Sequence, residues 1–376
     1  MRIGIVCTAR PSWSKLLPVV RALTARHREV FLYMAGGAVL VKYGAVVEQA
    51  RVLFPSVTIR EVFSVLDGAT LVTSAKETAG LLHSLADLFS LDGPDCIVVN
   101  HDRHEVVGVA QAAAYLHLPI IHIGGGERSG SIDDRCRDAI TALANVHCVS
   151  TRRAQLRVWG MTGSEQVHWT GCPSIDIAKE AQASPPVTWA ELNGTGPLFD
   201  LREPFLIVLQ HPVTNEMDQA GAQLRATLEA VTAIPLPRIV FQPGEDAGAE
   251  AMAREIRQWR HTDPLAIYTV KNFPPERFLR LLSQASVLVG NSSAGIREAS
   301  YLGVPVVNIG SRQQGRERAG HVRDVGYDTE AIWAATCAQI QHGPYPSSAL
   351  YGDGRAGEKI ADVICERVRA DTRAVG

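Results

Sequence analysis

The stretch IGIVCTARPSWSKLLPVVRALT, residues 3–24, decides the fold class. It begins with a four-residue apolar run, Ile3–Val6, which is too short for a helix and predicts a buried strand. A polar loop runs through Pro11, and the apolar residues within Lys15–Thr24 recur at helical spacing. A buried strand that leads through a polar loop into a helix is typical of a parallel sheet covered by helices.

The same alternation of short apolar runs and helical patterns returns through most of the chain. A stretch rich in Pro, Gly and Asn, Pro173–Pro204, interrupts it and is predicted to be a linker. We therefore predict an α/β protein with two doubly wound, Rossmann-like domains, residues 1–180 and 200–376. The last helix is a candidate for packing back on the first domain. The predicted strands are Ile3–Val6, Val30–Met34, Cys96–Val99, Ile120–Ile123 and His147–Val149, then Phe205–Leu209, Arg238–Phe241, Ala266–Thr269, Val287–Val289 and Val306–Ile309.

The composition is that of an ordinary globular protein. With 376 residues, of which 46% are hydrophobic and 20% charged, the chain can form two hydrophobic cores. A net charge of −2 does not favour nucleic acid as a partner, and no apolar run reaches the length of a membrane span. The seven cysteines form no C-x-x-C pair, and no signal peptide is recognised, so we expect a cytoplasmic protein. No motif implies a metal ion or a redox cofactor.

Ligands of such sheets bind at the carboxyl ends of the strands, so the residues after each predicted strand are the candidates for a site. After the first strand, Arg10, Ser14 and Lys15 lie around the start of a helix, which predicts an anion site. A solvated loop with a helix cap is the alternative. After the third strand, Asp102 stands in a dense ionisable cluster and is a candidate catalytic carboxylate. A structural pair with Arg103 is the alternative there.

The next predicted strand is followed by three glycines and a second group of charges. The glycines, which begin at Gly124, allow either a close approach of a ligand to the backbone or a tight turn. Glu127 and Asp133 add carboxylates, although Asp133 is also typical of the first turn of a helix, where the dipole favours it. Arg137 falls on the same helical face as Asp133 and is predicted either to pair with it or to hold a phosphate.

Polar residues also follow the predicted strands of the second half. His211 lies between a strand and a proline, as expected of an imidazole that transfers a proton or binds a phosphate; a surface histidine is the alternative. Ser292 and Ser293 open a helix, where N–H groups and hydroxyls predict a diphosphate site or, as the alternative, a simple cap. Glu298 could then accept hydrogen bonds from ribose hydroxyls. Arg312 lies in a basic loop at the same sheet edge, unless that loop is merely solvated.

Together these residues resemble the UDP-N-acetylglucosamine 2-epimerase family, and within it the hydrolysing branch of the sialic-acid pathway. The likeness extends over nearly the whole chain, and its motifs are highly specific as a set. The matching stretches are Asp102-Arg103, Ser129-Gly-Ser-Ile-Asp133-Asp134, Gly171-Cys-Pro-Ser174, Gln210-His-Pro-Val-Thr214, Gly290-Asn-Ser-Ser293 with Gly295 and Glu298, and Gly310-Ser-Arg312-Gln with Gly315-Arg316.

The resemblance implies a glycosyltransferase-B-like fold that binds a UDP-sugar in the cleft between its two domains. By position, Asp102, Asp133 and His211 match the catalytic residues of the family. The residues that match its UDP-sugar contacts are Arg10, Ser14, Ser292, Ser293, Glu298 and Arg312.

Three positions depart from the family pattern. Gly124 stands where many members have a catalytic glutamate, and Glu127 is the candidate to replace it. His101 stands in place of the usual glycine before the Asp-Arg turn, and Gly244 in place of an asparagine of the sialic-acid branch. These departures bear on which residue serves each face of the sugar.

The resemblance implies a UDP-GlcNAc 2-epimerase that acts as a homodimer without a cofactor. Because C2 of the sugar has no neighbouring carbonyl, UDP is expected to leave with oxocarbenium character at C1 while a carboxylate removes the C2 proton. Addition of water to the resulting 2-acetamidoglucal gives ManNAc, the outcome we favour, whereas return of UDP gives UDP-ManNAc. Two alternatives stay open, namely a glycosyltransferase of the same fold that uses a UDP-sugar and a non-catalytic nucleotide-sugar sensor.

Overall fold

The computed structural model describes residues 1–41, 44–66, 70–130, 132–244, 248–262, 267–271 and 273–374. The chain forms two compact units. The first contains Met1–Glu127, Asp133–Asp176 and Gly352–Gly376, and the second contains Arg128–Ile132 and Ile177–Tyr351. The C-terminal stretch therefore belongs to the first unit.

The first unit is built on a parallel sheet. Within the described residues, seven strands pair in the order β3-β2-β1-β4-β5-β6-β7. These strands are β1 (Arg2–Cys7), β2 (Glu29–Ala35), β3 (Thr58–Val62), β4 (Cys96–Asn100), β5 (Ile120–Ile123), β6 (Val146–Val149) and β7 (Val167–Trp169). The helices of this part of the chain are α1 (Arg10–Ala25), α2 (Val46–Leu53), α3 (Leu71–Asp92), α4 (His104–Tyr115), α5 (Asp133–Leu143), α6 (Arg152–Thr162) and α7 (Ser174–Ala183).

The second unit repeats this design. Its described part holds six parallel strands in the order β10-β9-β8-β11-β12-β13. These are β8 (Leu206–Leu209), β9 (Arg238–Phe241), β10 (Ile267–Val270), β11 (Val287–Gly290), β12 (Val306–Ile309) and β13 (Val322–Val325). The remaining α-helices are α8 (Trp189–Leu192), α9 (Ala220–Thr232), α10 (Ala249–Thr262), α11 (Pro275–Leu282), α12 (Ser293–Ile296), α13 (Glu298–Leu302), α14 (Thr329–His342) and, in the first unit, α15 (Ala356–Ala374). None of the described helices has the length and apolar character that a membrane crossing requires.

The ten predicted strands are all found, with ends that differ by one residue at most. Ala266, the first residue of one prediction, lies outside the described residues. The sequence analysis missed β3, β7 and β13, all of which are edge strands. β3 contains Arg60 and Glu61, β13 contains Arg323 and Asp324, and β7 has only three residues, so none of them forms the continuous apolar run of a central strand. The fourth edge strand, β10, is buried and was predicted.

The last helix packs on the first one. Gly357 of α15 approaches the backbone of α1 so closely that a Cβ there would lie 2.7 Å from the carbonyl carbon of Pro18. The start of α15 is held by Asp176, whose carboxylate accepts hydrogen bonds from the N–H groups of Ala356 at 2.9 Å and Gly357 at 2.7 Å. Glycine at position 357 is therefore required by space.

The substitution Gly357→Ala is expected to lower the free energy of unfolding by about 1–3 kcal/mol, because the added methyl group overpacks the contact between α15 and α1. Gly160→Ala in α6 is the matched control, since a Cβ at that exposed helical position meets no atom within 4 Å. The control should gain about 0.5–1 kcal/mol from the higher helix propensity of alanine. Denaturant unfolding of both variants makes the comparison, and a similar effect in the two would contradict the close approach.

Each sheet contains one point at which the strand order reverses, and open parallel sheets bind ligands at the carboxyl ends of the strands there. In the first sheet this point lies between β1 and β4, and in the second it lies between β8 and β11. The residues that directly follow these four strands are Thr8, His101, Gln210 and Asn291. The sites are therefore to be sought around these four residues.

Candidate active site

In the first unit, the end of β4 is joined to the start of α1. The side-chain amide of Asn100 donates a hydrogen bond to the main-chain oxygen of Ser12 at 3.2 Å. Arg10 is the first residue of α1, and Arg10, Ser14 and Lys15 are all half-buried. The hydroxyl of Ser14 donates within the helix to the carbonyl three residues earlier, at 2.9 Å. The residues predicted to bind an anion thus follow the strand at the reversal point.

The carboxylate of Asp102 forms an ion pair with Arg137, whose side chain is fully buried in α5. A second guanidinium nitrogen of Arg137 donates to the carboxylate of Asp134 at 2.6 Å and to the main-chain oxygen of Glu127 at 2.7 Å. The sequence left open whether Arg137 pairs with Asp133 or holds a phosphate. In the structure it joins the segments that follow β4 and β5, with Asp102 and Asp134 as its acidic partners.

The neighbours of Arg137 keep it charged. Burial works to lower the pKa of its guanidinium, but the carboxylates of Asp102, Glu127 and Asp134 outweigh burial and raise the pKa. The buried cation is thereby paired and hydrogen-bonded, as a charge in the interior must be. Glu127 is buried, and Asp133 is half-buried at the first position of α5. A fixed positive charge therefore holds Asp102 at the edge of the sheet.

A neutral histidine supports the turn before Asp102. His122 of β5 is fully buried, and burial is the main cause that lowers its pKa to about 3. Its Nε2 lies 2.9 Å from the main-chain oxygen of His101, and because a carbonyl only accepts, Nε2 carries the proton. The other ring nitrogen then accepts a hydrogen bond from the Thr141 hydroxyl at 3.2 Å. This contact fixes the backbone of the residue that precedes Asp102.

In the second unit, Asn291 holds His211 at the end of β8. The side-chain oxygen of Asn291 accepts from the N–H of His211 at 2.7 Å, and its side-chain nitrogen donates to the carbonyl of His211 at 2.8 Å. The main-chain oxygen of Asn291 accepts from Gln313 at 2.9 Å and from Arg312 at 3.3 Å. Asn291 therefore joins the segments that follow β8, β11 and β12, and it brings His211 and Arg312 to one edge of the sheet.

The helix predicted to begin at Ser292 is divided into the short helices α12 and α13, with Arg297 between them. The hydroxyl of Ser292 caps α12 by accepting from the N–H of Ala294 at 3.3 Å, and Ser293 is half-buried. Because so short a helix has a small dipole, an anion here would depend on the local N–H and hydroxyl groups. Glu298 is buried, and one of its carboxylate oxygens has no hydrogen-bond partner within the described residues.

Glu216 joins the segments that follow β8 and β12. Its carboxylate accepts hydrogen bonds from the hydroxyls of Ser311 at 2.5 Å and Tyr327 at 2.9 Å, and from the side chain of Gln223 at 2.7 Å. These hydrogen bonds lower the pKa of Glu216, and the bond from Ser311 has the largest effect. Burial, followed by the nearby Glu216 carboxylate, raises the pKa of Tyr327. The network fixes the loop in which Arg312 directly follows Ser311.

Replacing Glu216 by glutamine is expected to lower the free energy of unfolding by about 1–2 kcal/mol at neutral pH, because an amide accepts fewer of these hydrogen bonds. The pKa of Glu216 is lowered from 4.5 on folding, so its stabilisation is present above that pH and is lost as the pH falls through the folded-state value. The difference between wild type and variant should therefore shrink in acid.

Denaturant unfolding at neutral pH and at successively lower pH measures this difference. Glu255→Gln is the control, because Glu255 pairs at 2.7 Å with the exposed Arg225 on the surface of the same unit. Such pairs contribute about 0–1 kcal/mol. A Glu216→Gln difference that stays constant across the pH range would contradict the role given to the carboxylate.

Two of these supporting residues were missed by the sequence analysis. The sequence analysis names Asn291 only within a motif. Its place directly after a strand at the reversal point could have marked it as a candidate site residue. Glu216 is absent, because its partners Ser311 and Tyr327 lie 95 and 111 positions away and leave no local pattern.

Known proteins share both the sequence pattern and the fold. The sequence profile of the family described as UDP-N-acetylglucosamine 2-epimerase matches residues 22–365. The UDP-N,N'-diacetylbacillosamine 2-epimerase (hydrolyzing) of Legionella pneumophila is 31% identical over 291 residues, which cover 77% of this chain and 76% of that protein. A UDP-N-acetylglucosamine 2-epimerase of Neisseria meningitidis serogroup B is 31% identical over 280 residues, 72% of this chain and 71% of that one.

Among solved structures, UDP-GlcNAc 2-epimerase from Neisseria meningitidis bound to UDP-GlcNAc superposes with a TM-score of 0.80. The match covers 97% of this chain and all of that one at 17% identity, a level at which the likeness concerns the fold. The predicted fold class, two Rossmann-like domains of the glycosyltransferase-B type, is confirmed. Since the family profile also spans most of the sequence, the chain belongs to the UDP-N-acetylglucosamine 2-epimerase family.

Proposed function

We propose that the protein is a hydrolysing UDP-GlcNAc 2-epimerase, which converts UDP-GlcNAc and water into ManNAc and UDP. The observation that carries the proposal is the pair of Asp102 with the buried Arg137 at the reversal point of the first sheet. It supplies an oriented carboxylate for proton transfer in a chain of this family. The hydrolysing outcome is supported by the name of the Legionella relative, which includes it.

The departure of UDP is assigned to residues of the second unit. The C1–O bond breaks, its electron pair leaves with UDP, and positive charge develops at C1. His211, Ser292, Ser293 and Arg312 would supply an imidazole, two hydroxyls and a guanidinium to stabilise the departing diphosphate. The buried carboxylate oxygen of Glu298 is suited to accept a hydrogen bond from a ribose hydroxyl.

The proton transfers are assigned to the first unit. A carboxylate takes the proton from C2, the C1–C2 double bond of 2-acetamidoglucal forms, and a proton then returns to the opposite face of C2 while water adds to C1. We assign Asp102 to one of these transfers and either Asp133 or Glu127 to the other. Gly124 has no side chain to offer, so we assign the second carboxylate to one of these two residues.

The remaining predicted site residues have supporting roles. Arg10, Ser14 and Lys15 lie around the first turn of α1 and are assigned to the charged groups of the substrate. Arg137 was predicted from the sequence to bind the substrate as well. Its complete burial and its bonds to two carboxylates favour the role of holding Asp102 instead.

The name of the Legionella relative suggests a second candidate substrate for this chain, UDP-N,N'-diacetylbacillosamine. The reaction at C1 and C2 would be the same for that sugar. The two UDP-sugars should therefore be compared in one assay, with kcat/KM as the measure of preference.

Turnover of each UDP-sugar in water enriched with ¹⁸O tests the proposal. The UDP product should contain no ¹⁸O, because cleavage of the C1–O bond leaves the bridging oxygen on UDP, and the free epimerised sugar should accumulate. A UDP-linked epimer as the product would contradict the hydrolysing outcome, and ¹⁸O in UDP would contradict C1–O cleavage. Absence of turnover with both sugars would contradict the function and favour the nucleotide-sugar sensor.

A further inference from the structure

His101, directly before Asp102, adopts a backbone conformation that is rare for a residue with a side chain. Its φ is +65°, in the left-handed region, and the residue is only 4% exposed. Unfavourable backbone conformations of this kind persist where surrounding contacts hold them, and they concentrate at functional sites. We therefore expect contacts at the end of β4 that hold His101 in this conformation.

Hydrogen bonds of both the backbone and the ring hold His101 in place. Its main-chain N–H donates to the carbonyl of Ile123 at 2.8 Å, and its main-chain oxygen accepts from the ring of His122 at 2.9 Å. Its own ring nitrogen Nδ1 is hydrogen-bonded to the side-chain oxygen of Asn100. Backbone and ring are thus both fixed between the ends of β4 and β5.

The ring of His101 occupies the space beside Gly124. A Cβ at position 124 would lie 2.8 Å from one ring carbon and 3.0 Å from each ring nitrogen of His101. Gly124 also has a φ of +82°, which disfavours any side chain. The imidazole at 101 therefore leaves no room for a side chain at 124. The two residues directly follow β4 and β5, the strands whose following segments meet at Arg137.

We propose that His101 is a positioning residue, whose imidazole, seated on Gly124, sets the backbone turn that directs the carboxylate of Asp102 toward the sugar. The inference rests on the proposed function, because it concerns the same proton transfer. Without the ring, the turn gains conformational freedom, and Asp102 is less often in the productive orientation. The chain thus uses a histidine, in place of a side chain at 124, to organise this edge of its site.

Two substitutions of His101 separate the ring from the backbone conformation. His101→Gly removes the ring and relieves the backbone, whereas His101→Asn removes the ring but keeps a residue that tolerates the left-handed region. Both should lower kcat at least about 10-fold with little change in KM, since placement of a reacting group is lost rather than substrate binding. His117→Gly is the matched control, because His117 is exposed and has a φ of +56°. It should leave kcat unchanged.

A double-mutant cycle tests the contact itself. Gly124→Ala should lower both kcat and the melting temperature, and the same change in the His101→Gly background should cost much less, because the clash is gone. Gly163→Ala measures the cost of a positive φ alone, since Gly163 has a φ of +65° and a Cβ there meets no atom within 4 Å. Additive effects of the two changes on the melting temperature would overturn the inference.

The outcomes keep this inference distinct from the proposed function. Absence of turnover in the wild type would contradict the proposed function. The melting temperatures of the double-mutant cycle would still test the contact between the His101 ring and Gly124. An active wild type whose His101→Gly and His101→Asn variants keep normal kcat would overturn the positioning role and leave the proposed function intact.

Discussion

Replacement of Asp102 by asparagine is expected to lower turnover at least ~10²-fold, the usual scale for a proton-transfer group. Asparagine has nearly the same shape, and Arg137 keeps its bonds to Asp134 and to the carbonyl of Glu127, so the fold should be retained. The loss therefore reports the chemistry of the carboxylate. Release of UDP from UDP-GlcNAc gives the rate, and the melting temperature checks the fold.

Asp134→Asn is the matched control for Asp102→Asn. Each change removes the negative charge of one carboxylate that pairs with Arg137, but of these two residues only Asp102 is assigned a proton transfer. If Asp102 acted only by neutralising the guanidinium, the two variants would lose turnover to a similar extent. We expect a far smaller loss in Asp134→Asn, and a near-normal rate in Asp102→Asn would remove Asp102 from the catalytic set.

The second large effect is expected for His211→Ala, which should also lower turnover at least ~10²-fold. The backbone of His211 is held by two hydrogen bonds to Asn291, so its ring starts from a fixed point at the end of β8. Truncation to alanine keeps both main-chain bonds and removes only the imidazole. The rate of UDP release in the variant measures what the imidazole contributes to the departure of the diphosphate.

His342→Ala serves as the control for this substitution. His342 is an exposed histidine of the same unit, the last residue of α14, and stacks on Tyr345 with ring centroids 3.8 Å apart. Its removal should leave the rate of UDP release unchanged. Equal, small effects of the two alanine substitutions would mean that His211 has no part in the reaction.

The central strands of both sheets could be predicted from the sequence because each is buried on both faces and forms a continuous apolar run. The edge strands β3 and β13 could not, since they carry charges such as Arg60 and Asp324, whereas the edge strand β10 is an apolar, buried run and was predicted. The helix at Ser292 was predicted as one element. Its division at Arg297, where φ is −93° and ψ is −70°, was not predicted.

Part of the candidate site could be predicted from the rule that ligands bind after the carboxyl ends of strands. Asp102 and His211 follow strands at the two reversal points, as expected. The partners of Arg137 could not be predicted, because helical spacing favoured Asp133 four residues earlier, whereas the ion pair with Asp102 spans 35 positions. Long-range bonds of this kind depend on how the loops fold over the sheet edge, and the sequence carries no periodic signal for them.

The homodimer and the cytoplasmic location stay predictions of the sequence. Analytical ultracentrifugation of the purified chain tests the first, with a single species of twice the chain mass of 40.7 kDa as the expected result. A species of monomer mass alone would contradict it.

The central claim, proton exchange at C2 during loss of UDP, is tested most directly by turnover of UDP-GlcNAc in deuterium oxide, followed by proton NMR of the C1 and C2 region. Elimination and readdition predict that the sugar product carries deuterium at C2, because the proton removed from one face is replaced from solvent on the other. Free deuterated ManNAc together with UDP is the expected result. A product without deuterium at C2 would contradict the account.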